Sequence, residues 1–228
     1  MPVHHAPEEL LFDYARGTLN APAALVIETH LALDPESRSH VKDYDCIGGL
    51  LLEDLEPAEV SSDCFAEVMA RLEQDEERSQ TEAPDEDTAD DEGVHDAASL
   101  LPRPLRRYVG KELDGLPWRR VMSGLEEADL EAGEDEGTRW RLRLMRIAPG
   151  TSVPRHTHKG VEYTLVLQGA YNDESGRFAR GDLQVADAEV DHRPTAEPGD
   201  PCLCLVLTDA PLRFTGPFGR LLNPFIRY

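Results

Sequence analysis

The sequence predicts an α+β chain of two domains: a small all-α domain, then an acidic linker, then an all-β double-sheet jelly roll. Three features predict it. Apolar residues recur at helical spacing up to residue 75. The stretch 76–99 is dominated by Asp and Glu and nearly lacks apolar residues. From residue 100 onward the spacing shortens to two, with Gly and Pro between the runs. The boundaries that follow are 1–75, 76–99 and 100–228.

The first helix is read in EELLFDYARG, with Leu10, Leu11, Tyr14 and Ala15 on one face and Gly17 as its stop. Asn20 can cap a second helix that runs through Leu25, Val26 and His30 to Leu33. Asp34-Pro35 is a strong start for a third, carrying Val41, Tyr44, Leu51, Leu52 and Leu55, with Gly48-Gly49 weakening its middle. A fourth starts near Ser61 and places Phe65, Val68, Met69 and Leu72 at i, i+3, i+4 and i+7. Four short helices make a marginal core, so this domain is expected to lean on a partner. The acidic stretch cannot bury enough surface to offset the entropy of ordering it and reads as a flexible linker. Beyond it, RWRLRL, YTLVL, DLQV and CLCLVL read as short strands. Arg139, Arg141, Arg143 and Arg146 form a basic stripe that could receive the linker or a partner, or be a solvated strand face.

The net charge is −22. That repels nucleic acid, whose phosphates are held by Lys and Arg, and favours basic protein surfaces. Cys46, Cys64, Cys202 and Cys204 form no CxxC knuckle. The first residues lack a signal peptide's basic and apolar pattern, and no apolar stretch approaches the roughly 20 residues that span a bilayer. The expectation is a cytoplasmic chain with reduced thiols and no membrane contact.

The chemistry sits in Gly150–Gly169. His156 and His158 are two apart on a strand and project to one side; Glu162 has the same parity beyond a turn at Lys159-Gly160. Two imidazoles and a carboxylate suit a borderline divalent metal, and His192 is the best candidate for a fourth ligand from a neighbouring strand. Zinc comes first; iron, manganese and nickel suit the same donors. Cys202 and Cys204 share a strand face and read as small buried hydrophobes, or as redox-sensitive thiols if their pKa is lowered.

Residues 150–169 match the first cupin motif, G-x5-HxH-x3/4-E-x6-G, throughout. In the second, G-x5-PxG-x2-H-x3-N, Gly181 and His192 keep their spacing while Asp187, Glu189 and Ala196 replace the Pro, Gly and Asn. His5, Leu11…Tyr14-Ala15…Gly17-Thr18-Leu19, Thr29-His30-Leu31-Ala32-Leu33 and Gly48-Gly49 in the helical half, with Glu162–Ala170 and Thr208–Phe214, resemble the ChrR family of anti-sigma factors. The resemblance implies a jelly roll holding a metal, and a helical domain that binds an extracytoplasmic-function sigma factor. In the best-known member of that family the cupin is needed to release the factor in response to singlet oxygen. The resemblance also implies a zinc held in the helical domain by two histidines and a CxxC. Here His5 and His30 take the histidine positions, but Asp34 and Ser37 stand where the cysteines would be. Either Asp34 gives an oxygen ligand in a degenerate second metal site with His5 and His30, helped by His4 or His40, or it is only an N-cap. Loss of the soft thiolates favours the second reading, and so one metal per chain, in the cupin. The function expected is that of a non-enzymatic regulator with the cupin as sensor of an oxidant or small molecule; the alternative is a metal-dependent cupin oxygenase or other cupin enzyme.

Overall fold

The computed structural model describes residues 2–81, 100–110, 112–135 and 137–215. Of the expected linker, 82–99 lie outside the described residues. The helices are α1 (Glu8–Ala15), α2 (Ala21–Leu33), α3 (Pro35–Glu53), α4 (Cys64–Thr81) and α5 (Arg103–Val109). The strands are β1 (Arg119–Met122), β2 (Leu125–Asp135), β3 (Thr138–Ile147), β4 (His156–His158), β5 (Glu162–Gln168), β6 (Ala170–Asp173), β7 (Gly176–Ala179), β8 (Leu183–Ala186), β9 (Thr195–Ala196), β10 (Cys202–Thr208) and β11 (Leu212–Phe214). Helix α4 runs to Thr81, past the residue-76 start expected for the linker; its Glu, Gln and Arg are good helix formers whatever their charge.

One compact unit takes in the described residues up to Ile47 together with those from 100 on; the other takes in those from Gly48 to Thr81. In the first, β1-β2-β3-β10-β5-β8 form an antiparallel six-stranded sheet. Its inner face packs Ile147, Val166, Cys202, Cys204 and Val206 against Tyr171, Phe178 and Ala196 of the small β7-β6-β9 sheet. Its outer face packs Leu142, Leu144, Leu165, Leu203, Leu205 and Leu207 against Leu11, Val26, Ile27 and Leu31 of α1 and α2 and Leu105 of α5. Strand β10 shows why: every residue from Cys202 to Thr208 is buried, odd positions toward the helices and even ones inward. A strand covered on both faces reads as an unbroken apolar run. The first two helices therefore share their core with the sheet rather than closing on one another.

The helix starts are as the sequence predicts. Asn20 accepts the Ala23 amide at 3.1 Å. Asp34 accepts the amides of Glu36 (3.2 Å) and Ser37 (3.3 Å) at the head of α3. The arginine stripe has a different use from those expected. β2 lies beside β3, and its acids take the arginines: Arg146 lies 2.8 Å from Glu126, Arg141 2.8 Å from Glu127 and Arg139 3.6 Å from Glu134. The stripe is thus paired within the barrel.

In the second unit the apolar side chains have no cover among the described residues. Leu50, Leu51, Leu52 and Leu55 are exposed, as are Phe65, Val68, Met69 and Leu72 of α4, with Phe65 at 77%.

Candidate metal centre

Strand β4 carries both histidines of the HxH. His156 and His158 are buried, while Thr157 between them turns out and donates to the Ala188 carbonyl at 3.1 Å. The next turn closes tightly: Asp209 accepts the Val161 amide at 2.6 Å, and a Cβ on Gly160 would stand 1.8 Å from that carboxylate. The turn delivers Glu162 at the head of β5. His192 lies across from His156 in a two-way bridge, each amide donating to the other's carbonyl at 3.0 Å. One donor atom from each of His156, His158, Glu162 and His192 falls within 4.8 Å of all the others, and all four residues are buried.

The protons on two of these rings can be placed. His156 Nδ1 is 2.8 Å from the Pro154 carbonyl, which only accepts, so Nδ1 holds the proton and Nε2 a lone pair. His192 Nδ1 stands 2.7 Å from Asp173 Oδ2, with the same result. Yet the two Nε2 atoms are 3.1 Å apart, and His158 Nε2 is 3.2 Å from that of His192. Burial pushes the His156 imidazole down to about 4 and lowers His158 as well, so near neutral pH neither ring is charged. The facing lone pairs of His156 and His192 repel at such a distance until a cation lies between them. Three imidazole nitrogens and a carboxylate, buried and convergent, fit a divalent metal. Such an ion, when bound, supplies a Lewis-acidic centre.

Glu162 is steadied by Thr164, whose hydroxyl donates to Oε1 at 3.3 Å, and by Arg143, 3.6 Å from Oε2. The centre borders a cavity with room for about 40 Å³ of water-sized occupants, walled by Met145, Ile147, Val153, Cys204, Val206 and Leu212. Cys202 and Cys204 are fully buried, their sulfurs 3.6 Å apart. Their mutual hydrogen bond, and then burial, raise Cys204 well above the ordinary thiol range. Both pack as small buried hydrophobes, and Cys204 is no activated thiolate.

A model of the "ChrR Cupin-like domain" matches residues 107–211. "Anti-sigma-E factor ChrR" of Cereibacter sphaeroides is 41% identical over 224 residues, 98% of each chain. The chain belongs to the ChrR family. Among solved structures, that of Rhodobacter sphaeroides SigE in complex with the anti-sigma ChrR matches with a TM-score of 0.73 and 38% identity, covering 92% of this chain and 100% of that one. An RmlC-like cupin protein from Ralstonia eutropha matches 47% of this chain and 71% of its own, with 16% identity and a TM-score of 0.41.

The two histidines and the CxxC that hold a zinc in the family fall here at His5, His30, Asp34 and Ser37, and these residues do meet. They are joined by hydrogen bonds instead. Asp34 Oδ2 accepts from Ser37 Oγ at 2.6 Å and His5 Nδ1 at 2.7 Å. His30 is fully buried; its Nδ1 donates to the Gly181 carbonyl at 2.9 Å, and its Nε2 accepts the Ala6 amide at 3.2 Å. The His30 lone pair is spent and Asp34 stands between the imidazoles. Among the described residues, the cupin cluster is the one group of three or more whose ligating atoms all lie within 4.8 Å of one another. His4 turns to the barrel, stacking on Phe178 at 4.2 Å and donating to the Arg177 carbonyl at 3.1 Å. With two oxygens in place of two thiolates and the nitrogens already bonded, this cluster does not fit a zinc.

Sequence reasoning missed Asp173, Gln184 and Asp182. Asp173 lies in Asn-Asp-Glu-Ser-Gly, which reads only as a hairpin turn; the turn is there, with Asp173 Oδ1 accepting the Ser175 amide at 2.7 Å. Asp182 Oδ1 accepts the amides of Val3 (2.6 Å) and His4 (2.9 Å), a contact across 179 and 178 residues that no local pattern announces.

Proposed function

We propose that this chain is an anti-sigma factor that holds an extracytoplasmic-function sigma factor, and that it carries one divalent metal, zinc first, on His156, His158, Glu162 and His192. The metal centre is the sensor, and a chemical change there lowers the affinity for the partner; by linkage it must differ between the bound and free states. The observation that carries the reading is the uncovered apolar face from Leu50 to Leu72, which includes Leu51, Leu52, Leu55, Phe65, Val68 and Met69. Exposed large apolar side chains gathered in this way mark a protein contact. The net charge of −22 suits a partner whose DNA-binding surfaces are basic. The relative named as an anti-sigma-E factor and the solved SigE complex support the class of partner. The small cavity weighs against a cupin enzyme acting on an organic substrate, because such pockets commonly reach about 300 to 1,000 Å³.

The test is capture from lysate of the source organism on the full chain, with captured proteins identified by mass spectrometry. An extracytoplasmic-function sigma factor should be recovered on the wild type and lost on Phe65→Asp. Recovery of none on a folded, metal-loaded bait would move the reading to a cupin enzyme, and metal-dependent oxygen consumption would then decide.

A further inference from the structure

Strand β6 ends in a carboxylate that the metal reading does not itself use. The Asp173 side chain is fully buried, and one of its oxygens, Oδ2, stands 2.7 Å from His192 Nδ1 and 2.7 Å from Gln184 Nε2. Gln184 is held in turn by Tyr171, whose hydroxyl donates to Oε1 at 2.8 Å. The other oxygen, Oδ1, accepts the amides of Ser175 (2.7 Å) and Gly176 (3.2 Å). The chain Tyr171–Gln184–Asp173–His192 therefore ends on the nitrogen of His192 that faces away from the centre.

We propose that Asp173 is the positioning residue of the centre, holding the His192 proton on Nδ1 so that Nε2 keeps its lone pair for the metal. The proposal rests on the metal reading above. The backbone of His192 is already pinned by its bridge to His156, so ring orientation and proton position are what remain to be set. Without Asp173 the proton is free to move to Nε2. There it would bond to the Nε2 of His156 or His158, 3.1 and 3.2 Å away, and close the ligand set with a hydrogen bond. A carboxylate behind a ligating imidazole also makes the imidazole a better donor. Asparagine cannot substitute. An amide can face the two donors at His192 and Gln184 with its oxygen, or the two backbone amides with its oxygen, but not both.

The experiment uses the full chain, zinc and a competing chromophoric chelator, with nitrogen-15 NMR of the imidazoles to read the tautomer of His192 in the metal-free protein. D173N should weaken zinc binding about 10- to 100-fold, and Gln184→Met should weaken it less, in the same direction. The wild-type spectrum should place the proton on Nδ1, and D173N should lose that preference. Unchanged zinc affinity in both variants overturns the proposal, and so does a wild-type His192 protonated on Nε2, which decides the matter even if D173N fails to fold. A wild-type chain that takes up no zinc sinks the metal reading itself. Normal wild-type uptake with an unaffected D173N sinks the positioning role alone.

Discussion

His30 Nδ1 donates to the carbonyl of Gly181 at 2.9 Å, joining residues 151 apart in the chain. The bond ties the end of α2 to the turn before β8. Gly181 has φ 92°, and a Cβ there would stand 2.7 Å from Pro2, so the turn needs a glycine on both counts. His30→Ala would strand the Gly181 carbonyl and the Ala6 amide in a buried site. Each such group costs about 1 to 3 kcal/mol. The variant should lose about 2 to 5 kcal/mol in urea unfolding of the full chain. A loss within about 0.5 kcal/mol would mean the joint carries no stability.

The same joint makes stability depend on pH through His5. The hydrogen bond from His5 to Asp34 raises the imidazole above 6.5, burial opposes it, and the charge of Asp34 adds to the rise. A raised imidazole contributes fully below 6.5 and loses its contribution as pH rises through the folded value. Asp34 works in the opposite direction. Burial pushes its carboxyl up, but the hydrogen bonds from Ser37 and His5 and the charge of His5 bring it below 3.8, so its contribution is lost only as pH falls through that lower value. The stability gap between wild type and His5→Ala should be wide at about pH 6 and narrow at about pH 9. A gap that stays constant, or widens with pH, would contradict the pairing.

The shared core and the bare face should separate in mutagenesis. Leu205 is fully buried between sheet and helices, and Leu205→Ala should cost about 2 to 5 kcal/mol. Phe65 is 77% exposed, and Phe65→Asp should change stability by no more than about 0.5 kcal/mol while abolishing capture of the sigma factor. Retained capture would place the partner elsewhere.

How much of this was readable in advance depends on whether the cause was local. The HxH and Glu162 were legible because strand parity and one turn suffice to bring them together, and Asn20 and Asp34 because capping acts within three residues. Strand β2 was not. Leu125–Asp135 reads as an acidic surface segment until β3 lies beside it with Arg139, Arg141 and Arg146 to neutralise it. The α1–α2 core looked marginal because half of it is supplied by Leu142, Leu165 and Leu205, more than a hundred residues downstream. Asp173 was hidden for the same reason, since its turn is local and its hold on His192 is not.

The hydrogen-bonded cluster leads to a metal count. Ser37 Oγ and Asp34 Oδ2 lie 2.6 Å apart at the head of α3, and both stand close to His30 Nε2, at 3.1 and 3.2 Å. Oxygen at both positions leaves hydrogen bonding as the stronger arrangement, whereas two thiolates would offer zinc the soft donors it holds most tightly. Elemental analysis of the full chain should therefore find one zinc equivalent, lost with His158→Ala and kept with Asp34→Ala. The double substitution D34C and S37C should raise the count to two, because cysteines there complete a set with His5 and His30, and adding His5→Ala should take the second away. A wild-type chain holding two equivalents, one of them lost with Asp34→Ala, would mean that the cluster binds metal through its oxygens after all.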